Sequence, residues 1–315
     1  MNTNGHDEGA VLTARVLELE AELRSTRAQL NSVESSGSKV MTEVPSNGSL
    51  EAVSLPISLS LDSSIHNLML LSDSALPLGS FAYSSGLESF LAHHKASGAK
   101  ETNLALFHKF LKLSIQSMAY TNIPYALAAF RDPMALSGLD NDLDASTPCN
   151  VARRASVAQG RALLSVWERA FLATAKHGHR GHDMDEVAAT ALNIFARDLK
   201  ISSITAAPLE IPSVNGHFAP LWGTVCLALR LSLADSAYVF LLNHAKAVVS
   251  AAVRASVMGP YMAQTVLASR ELQGLIRECL QKVWWLSTEE AGQVVPMLDL
   301  WIGRHELLYS RIFNS

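Results

Sequence analysis

Thr102-Asn-Leu-Ala-Leu-Phe-His-Lys-Phe-Leu-Lys-Leu-Ser-Ile-Gln-Ser-Met118 decides the fold class. Leu104, Phe107, Leu111, Ile115 and Met118 recur at steps of three and four, so they share one stripe of a helix entered at Thr102. Working outward, the same period returns in Val157, Leu164, Trp167 and Phe171, the stripe of a helix expected from about Val151 to Lys176. Asp183 or Asp185 can cap a further helix reaching Leu199, because a short acidic side chain accepts the free N–H groups of a first turn. Ala245, Ala247, Ser250, Ala251, Ala252 and Ala255 put small side chains on several faces of one helix, which suits a central element that neighbours approach closely. Alternation of period two is nowhere sustained, and no strand pair with hairpin turn chemistry is visible. The fold class read from these patterns is all-α, a single multi-helix domain. Residues 131–150, rich in Asp, Asn and Pro, and residues 201–216, carrying Pro208 and Pro212, read as surface connections between helices.

Toward the N-terminus the pattern changes. Leu12, Val16, Leu19, Leu23 and Leu30 stand near heptad spacing with Glu and Arg between them, about two and a half heptads in all. A helix that short is marginal alone, so residues 11–31 read either as a short coiled coil or as a disordered arm. Residues 31–63 are rich in Ser with no period and read as a linker. The division expected is an extension over 1–63 and a helical domain over 64–315.

Composition narrows the function. Apolar residues make up 49% and charged residues 17%, a balance that leaves apolar surface to be covered by partner proteins. A net charge of −4 without any Lys/Arg block supplies no field for condensing on nucleic acid phosphates. Cys149, Cys226 and Cys279 are odd in number and far apart, in neither disulfide nor zinc spacing. The polar, acidic start MNTNGHDEGA lacks the apolar run of a secretory signal, so the compartment expected is the reducing cytoplasm. Phe218–Val253 is the most apolar region, but Arg230, Asp235 and Lys246 interrupt it before the ~20 residues that span a bilayer. Buried helices are expected there, not a membrane anchor.

No catalytic constellation is visible, since Ser, His and Asp stand in unlinked positions, and a protein without turnover of its own is expected. His177, His179, His182, Asp183 and Asp185 concentrate imidazoles and carboxylates in nine residues, a ligand set suited to nickel, zinc or copper. One reading of them is a metal-dependent helical enzyme; the other is a solvated loop around Gly178 with no fixed geometry, which leaves the three histidines weak ligands and no stably bound cofactor. His93 and His94 read as cations at a helix C-terminus. Dinucleotide, P-loop, zinc-protease and nucleophile-elbow motifs are all absent.

Asp73-Ser-Ala-Leu-Pro-Leu-Gly-Ser-Phe-Ala-Tyr-Ser-Ser-Gly-Leu-Glu88 stands apart. Pro77 fixes one torsion and disfavours helix at Leu76, while Gly79 and Gly86 open conformations closed to other residues. If the segment is extended, Phe81 and Tyr83 point the same way and form a binding surface of apolar area with a hydroxyl. The alternative is a helix-to-helix loop in which Ser84 or Ser85 is an N-cap and Glu88 lies in the first turn.

The run Leu76-Pro-Leu-Gly-Ser-Phe-Ala-Tyr-Ser-Ser-Gly-Leu-Glu88 resembles the N-terminal motif of the urease accessory protein F family. The ending Arg304-His-Glu-Leu-Leu-Tyr-Ser-Arg-Ile-Phe-Asn-Ser315 is similar to that family's ending, and Arg154-x-Ser156-x-x-Gln159-Gly160-Arg161, Gly216-His-Phe and Ser250-Ala-Ala-Val-Arg254 are similar to further family stretches in the same order. The resemblance covers about residues 65–315. It implies an all-helical scaffold without turnover of its own, which tends to dimerise and joins the D/H-type accessory protein and the G-type GTPase, so that nickel, handled by the complex, enters apo-urease. Regulation of that GTPase is the family's other suggested role. By the same resemblance the loop around Tyr83, with Pro77, Gly79, Phe81, Ser84, Gly86 and Glu88, recruits the GTPase. The tail, with Arg304, His305, Glu306, Tyr309 and Arg311, orders on the D/H-type partner. Ala82 departs from the Ser or Thr common in the family. A helical adaptor for unrelated partners, self-associating through the heptads, is the remaining alternative.

Overall fold

The computed structural model describes residues 63–96, 101–173, 183–205, 212–309 and 311–314. The heptads of 11–31, the linker that follows them, and His177, His179 and His182 lie outside the described residues.

Phe218-Ala-Pro-Leu-Trp-Gly-Thr-Val-Cys-Leu-Ala228 carries no charge, and a helix apolar on every side has to be enclosed. Every residue from Ala219 to Ala228 is buried. The helices in chain order are α1 (Ser63–Ser72), α2 (Leu87–Ala96), α3 (Asn103–Arg131), α4 (Leu136–Ser146), α5 (Asn150–Val166), α6 (Asp183–Thr205), α7 (Phe218–Ala228), α8 (Leu233–Arg254), α9 (Pro260–Ala268), α10 (Arg270–Val283) and α11 (Pro296–Arg304). Among the described residues there is no strand. Helices α3, α4, α5, α6 and α8 all pack against α7. At Gly223 the approach is closest, since a Cβ there would lie 2.0 Å from the Ala126 carbonyl oxygen of α3.

The expected stripe of α3 holds. Phe107, Leu111 and Ile115 are buried, Leu104 and Met118 pack on the core from its edge, and Thr102 caps the helix by accepting the Ala105 N–H at 3.3 Å. Pro124 lies inside α3 and brings no N–H, which leaves the Tyr120 carbonyl without its helical donor. The Gly292 N–H takes that place at 3.2 Å, tying the segment before α11 to α3. Helix α5 continues through a π turn at Trp167–Phe171 that keeps both terminal aromatics buried.

Three expectations change. Residues 131–150 are not a loop: Pro133–Ala135 forms a 3₁₀ turn capped by Asp132, and α4 follows, because Leu136, Leu139 and Leu143 form a buried stripe among the acidic residues. Helix α6 runs past Leu199 to Thr205, into the segment read as a connection. The helix of small residues, α8, packs against α1, α3, α7, α9 and α10, yet the element enclosed on all sides is α7. Among the described residues α8 alone is long and apolar enough to cross a bilayer, but 56% of its apolar window is buried inside this domain, as in a core helix.

Gly223→Ala is expected to destabilise the chain by about 1–3 kcal/mol through overpacking between α7 and α3. Urea unfolding measures it, and a change of a few tenths of a kcal/mol contradicts the close approach.

Candidate functional site

The loop between α1 and α2 is shaped by three left-handed residues, Gly79 (φ 71°), Ser85 (φ 54°) and Gly86 (φ 88°). At Gly86 a side chain would also meet Ile302 of α11 at 3.0 Å, so the glycine serves both torsion and packing. Between them Ser80–Ala82 closes a 3₁₀ turn instead of the extended run considered from sequence. Phe81 and Tyr83 consequently do not point together: Phe81 is 65% exposed, whereas Tyr83 is half-buried and lines a cavity beneath the loop. Ser84 is fully buried. Helix α2 begins with the Phe90 N–H on the Gly86 carbonyl at 2.9 Å, and Glu88 sits in its first turn as expected. At the other end His94 donates from Nδ1 to the Phe90 carbonyl at 2.9 Å, in the last turn.

The C-terminal motif folds onto this loop. The backbone N–H of Asn314 donates to the Ala82 carbonyl at 2.8 Å, and that of Ile312 to Glu88 Oε1 at 2.9 Å. His305, fully buried at the end of α11, lies with Nε2 2.9 Å from the Phe313 carbonyl and Nδ1 3.6 Å from Glu88 Oε2. Phe313 is buried beneath the Arg254 guanidinium, 4.4 Å from its ring centroid, and the same guanidinium donates to the Phe81 carbonyl. Burial holds the Arg254 guanidinium below its ordinary pKa. Glu306 pairs with Arg154 of α5. Around these fixed points Arg304, Leu307, Tyr309, Arg311 and Ile312 are exposed, Tyr309 completely so. Loop and tail, at opposite ends of the domain's sequence, form one site.

Helix α5 supports that site through the residues of its motif. Ser80 Oγ donates to Gln159 Oε1 at 3.2 Å, and Arg154 reaches Glu306. Gly160 lets the backbone of 216–218 pass so close that a Cβ would lie 2.2 Å from the Gly216 carbonyl oxygen. Arg161 Nε donates to the Asn215 carbonyl at 2.8 Å. The fully buried Asp140 carboxylate accepts the N–H groups of Asn215, Gly216 and His217 at 2.5, 3.0 and 2.6 Å. The His217 ring spans Asp144 Oδ1 and Ser156 Oγ, each at 3.0 Å. An ionised Asp144 only accepts, so Nε2 carries the hydrogen and Nδ1 accepts the Ser156 hydroxyl, which in turn accepts the Phe218 N–H at 3.2 Å.

Beneath the loop lies a cavity of about 260 Å³ between α3, α5 and α8, bordered by Tyr83, Ser114, Gln159, His244, Lys246 and Asp299. Burial pushes His244 down to about 4, and Ser114 Oγ lies 2.7 Å from its Nε2. Lys246 is also lowered by burial, partly offset by Asp73, and its ammonium caps α1 by donating to the Ser72 carbonyl at 2.6 Å. Asp299 is raised by burial.

The UreF family model matches residues 102–271. An uncharacterized UreF-like urease accessory protein of Schizosaccharomyces pombe is 36% identical over 250 residues, spanning 79% of this chain and 97% of the relative. The chain belongs to the urease accessory protein F family. Urease accessory protein F of Arabidopsis thaliana is 28% identical over 247 residues, 77% of this chain and 89% of the relative. Urease accessory protein 6 of Cryptococcus neoformans is 26% identical over 317 residues, 80% of this chain and 97% of the relative.

Of the residues singled out in sequence, Phe81, Arg304, Glu306, Tyr309 and Arg311 are exposed, Pro77 and Gly79 shape the loop, and Ser84 and His305 are buried and hold it. Asp140 and Asp144 escaped notice because they lie in the stretch read as a connection. His244 escaped because a lone imidazole on an apolar helix carries no signal. In the unfolded chain His244 takes up a proton near pH 6.5 and in the folded chain only near 4, so stability falls as pH drops through that window. Wild type is expected to lose about 2–3 kcal/mol more than His244→Gln between those values. Urea titrations at a series of pH values test this, and parallel curves contradict it.

Proposed function

We propose that this chain is a non-catalytic, cytoplasmic scaffold of urease maturation. It joins the D/H-type accessory protein to the G-type GTPase so that nickel, the cargo of the complex and not a resident cofactor, enters apo-urease in a GTP-dependent step. The observation that carries the reading is the meeting of loop and tail, where Phe81, Leu307, Tyr309, Arg311 and Ile312 are exposed while His305 and Phe313 are buried and the half-buried Glu88 accepts the Ile312 N–H. Large apolar and forked cationic groups held in place by a buried polar frame suit protein recognition, since little ordering entropy is left to lose on association. In this reading the loop, through Phe81 and Tyr83, takes the GTPase and restrains or stimulates it, and the tail, through Tyr309 and Arg311, takes the D/H-type protein. Two copies of the scaffold act together as a homodimer. Membership of the urease accessory protein F family supports urease maturation as the setting.

Phe81→Ala is expected to abolish co-purification of the GTPase while the D/H-type protein is retained, and Tyr309→Ala with Arg311→Ala to do the reverse. The tail pair is exposed, so it should change stability by no more than about 0.5 kcal/mol. Complex formation and urease activation that survive both sets of substitutions contradict the partner assignment.

A further inference from the structure

The cavity under the loop carries an imbalance of charge. Apart from the Tyr83 phenol, the titratable side chains that border it are Asp73, His244, Lys246 and Asp299. Burial lowers Lys246 and the Asp73 charge partly offsets this, while its ammonium donates to the Ser72 carbonyl and hydroxyl at 2.6 and 2.8 Å. His244 is pushed down to about 4 by burial, so it is uncharged at neutral pH. Asp299 has no such compensation among the described residues. What acts on its carboxyl is burial, which raises it, and the Gln293 amide, which lowers it and donates to Oδ1 at 3.1 Å; no cation stands beside it. It lies in the first turn of α11, whose dipole offers a carboxylate roughly half a unit charge. A half-buried carboxylate with an amide on one oxygen, and the other unengaged among the described residues, is short of a cation.

Much of the remaining polar wall is spent on the protein itself. Asn243 donates to the Leu71 carbonyl at 2.8 Å, Thr121 to the Ser117 carbonyl at 2.8 Å, Gln159 to the Ala155 carbonyl at 3.2 Å and Thr147 to the Leu143 carbonyl at 2.7 Å. Leu78, Met118, Phe218, Phe240 and Ile302 supply apolar wall. Asp299 and Ile302, three residues apart, share one face of α11, so the carboxylate has an apolar neighbour on the same side of the cavity. A volume of about 260 Å³ equals the liquid share of roughly nine waters and admits one organic molecule of benzyl size.

We propose that this cavity is a binding site for a small organic ammonium, its charged nitrogen on the free oxygen of Asp299 and its apolar body against Met118 and Ile302. The ammonium donates to Oδ2 in a charge-assisted hydrogen bond and supplies the missing counter-charge, while the body displaces water from a wall with few hydrogen bonds left to offer. A neutral molecule of the same shape gains the apolar contacts but leaves the carboxylate uncompensated. An anion meets Asp299 with Lys246 already committed to Ser72. A hard metal ion needs several oxygens, and among the described residues no three His, Cys, Asp or Glu side chains gather to hold one. The site is a property of this chain alone and does not depend on which proteins bind the loop and tail.

The test is calorimetric titration of the full-length chain with benzylammonium chloride, with benzyl alcohol as the neutral isostere and potassium chloride as the control for a general cation effect. Benzylammonium should bind at a single site per chain, at least about tenfold more tightly than benzyl alcohol. Its ring protons should show nuclear Overhauser contacts to the methyl of Met118, assigned from the resonance lost in Met118→Leu. Asp299→Asn keeps an acceptor for Gln293, so it should weaken benzylammonium by about tenfold or more while leaving benzyl alcohol unchanged. Equal affinity for the two probes, no saturable binding of benzylammonium at millimolar concentration, the same heat from potassium chloride, contacts to other methionines only, or undiminished benzylammonium binding in Asp299→Asn overturns the inference. The two probes compared on the wild-type chain decide the matter even if a variant fails to fold.

Discussion

Enclosure of α7 on every side is the constraint on which the remaining structure depends. A helix with no polar face cannot be positioned by its own charges, so its location is set by how closely its neighbours come and by what fixes its ends. Gly223 admits α3 to backbone distance, and Gly160 admits the chain just before α7 against α5. The N-terminal approach is then locked by the Asp140 carboxylate, which gathers three consecutive N–H groups that would otherwise be buried without acceptors. With α7 fixed, α5 is fixed, and α5 carries the Arg154 and Gln159 side chains that reach the tail and the loop.

The surface built on that frame divides its labour. Glu88, His305, Phe313 and Arg254 are spent inside the molecule on backbone groups and on each other, while Phe81, Leu307, Tyr309 and Ile312 face outward with little of their area covered. The cavity beneath Tyr83 is bounded by His244 and Lys246, both of which burial shifts toward the uncharged form.

Much of this was legible in sequence. The stripes of α3 and α5 report their own burial because apolar side chains at helical spacing have no other favourable place, and the family resemblance picked out the two segments that meet in the fold. What sequence could not supply was their meeting. Nothing in the residues from Leu76 to Glu88 says that Ala82 will accept from Asn314, since a tail is attached to a loop by backbone groups that every residue possesses. Helix α4 was hidden for a related reason. Its three leucines are outnumbered by Asp, Asn and Ser, and tertiary burial, not propensity, decides that the stretch is helical. The extended reading of Phe81 and Tyr83 failed because the left-handed torsion at Gly79 starts a 3₁₀ turn.

Hydrogen exchange of the loop in Phe313→Ala tests the central claim, that loop and tail are a single structural unit, most directly. The account predicts that amides within 79–86, together with that of Ile312, exchange at least tenfold faster than in wild type while those of α3 and α8 are unchanged. Loop exchange that stays at the wild-type rate once Phe313 is truncated would contradict it.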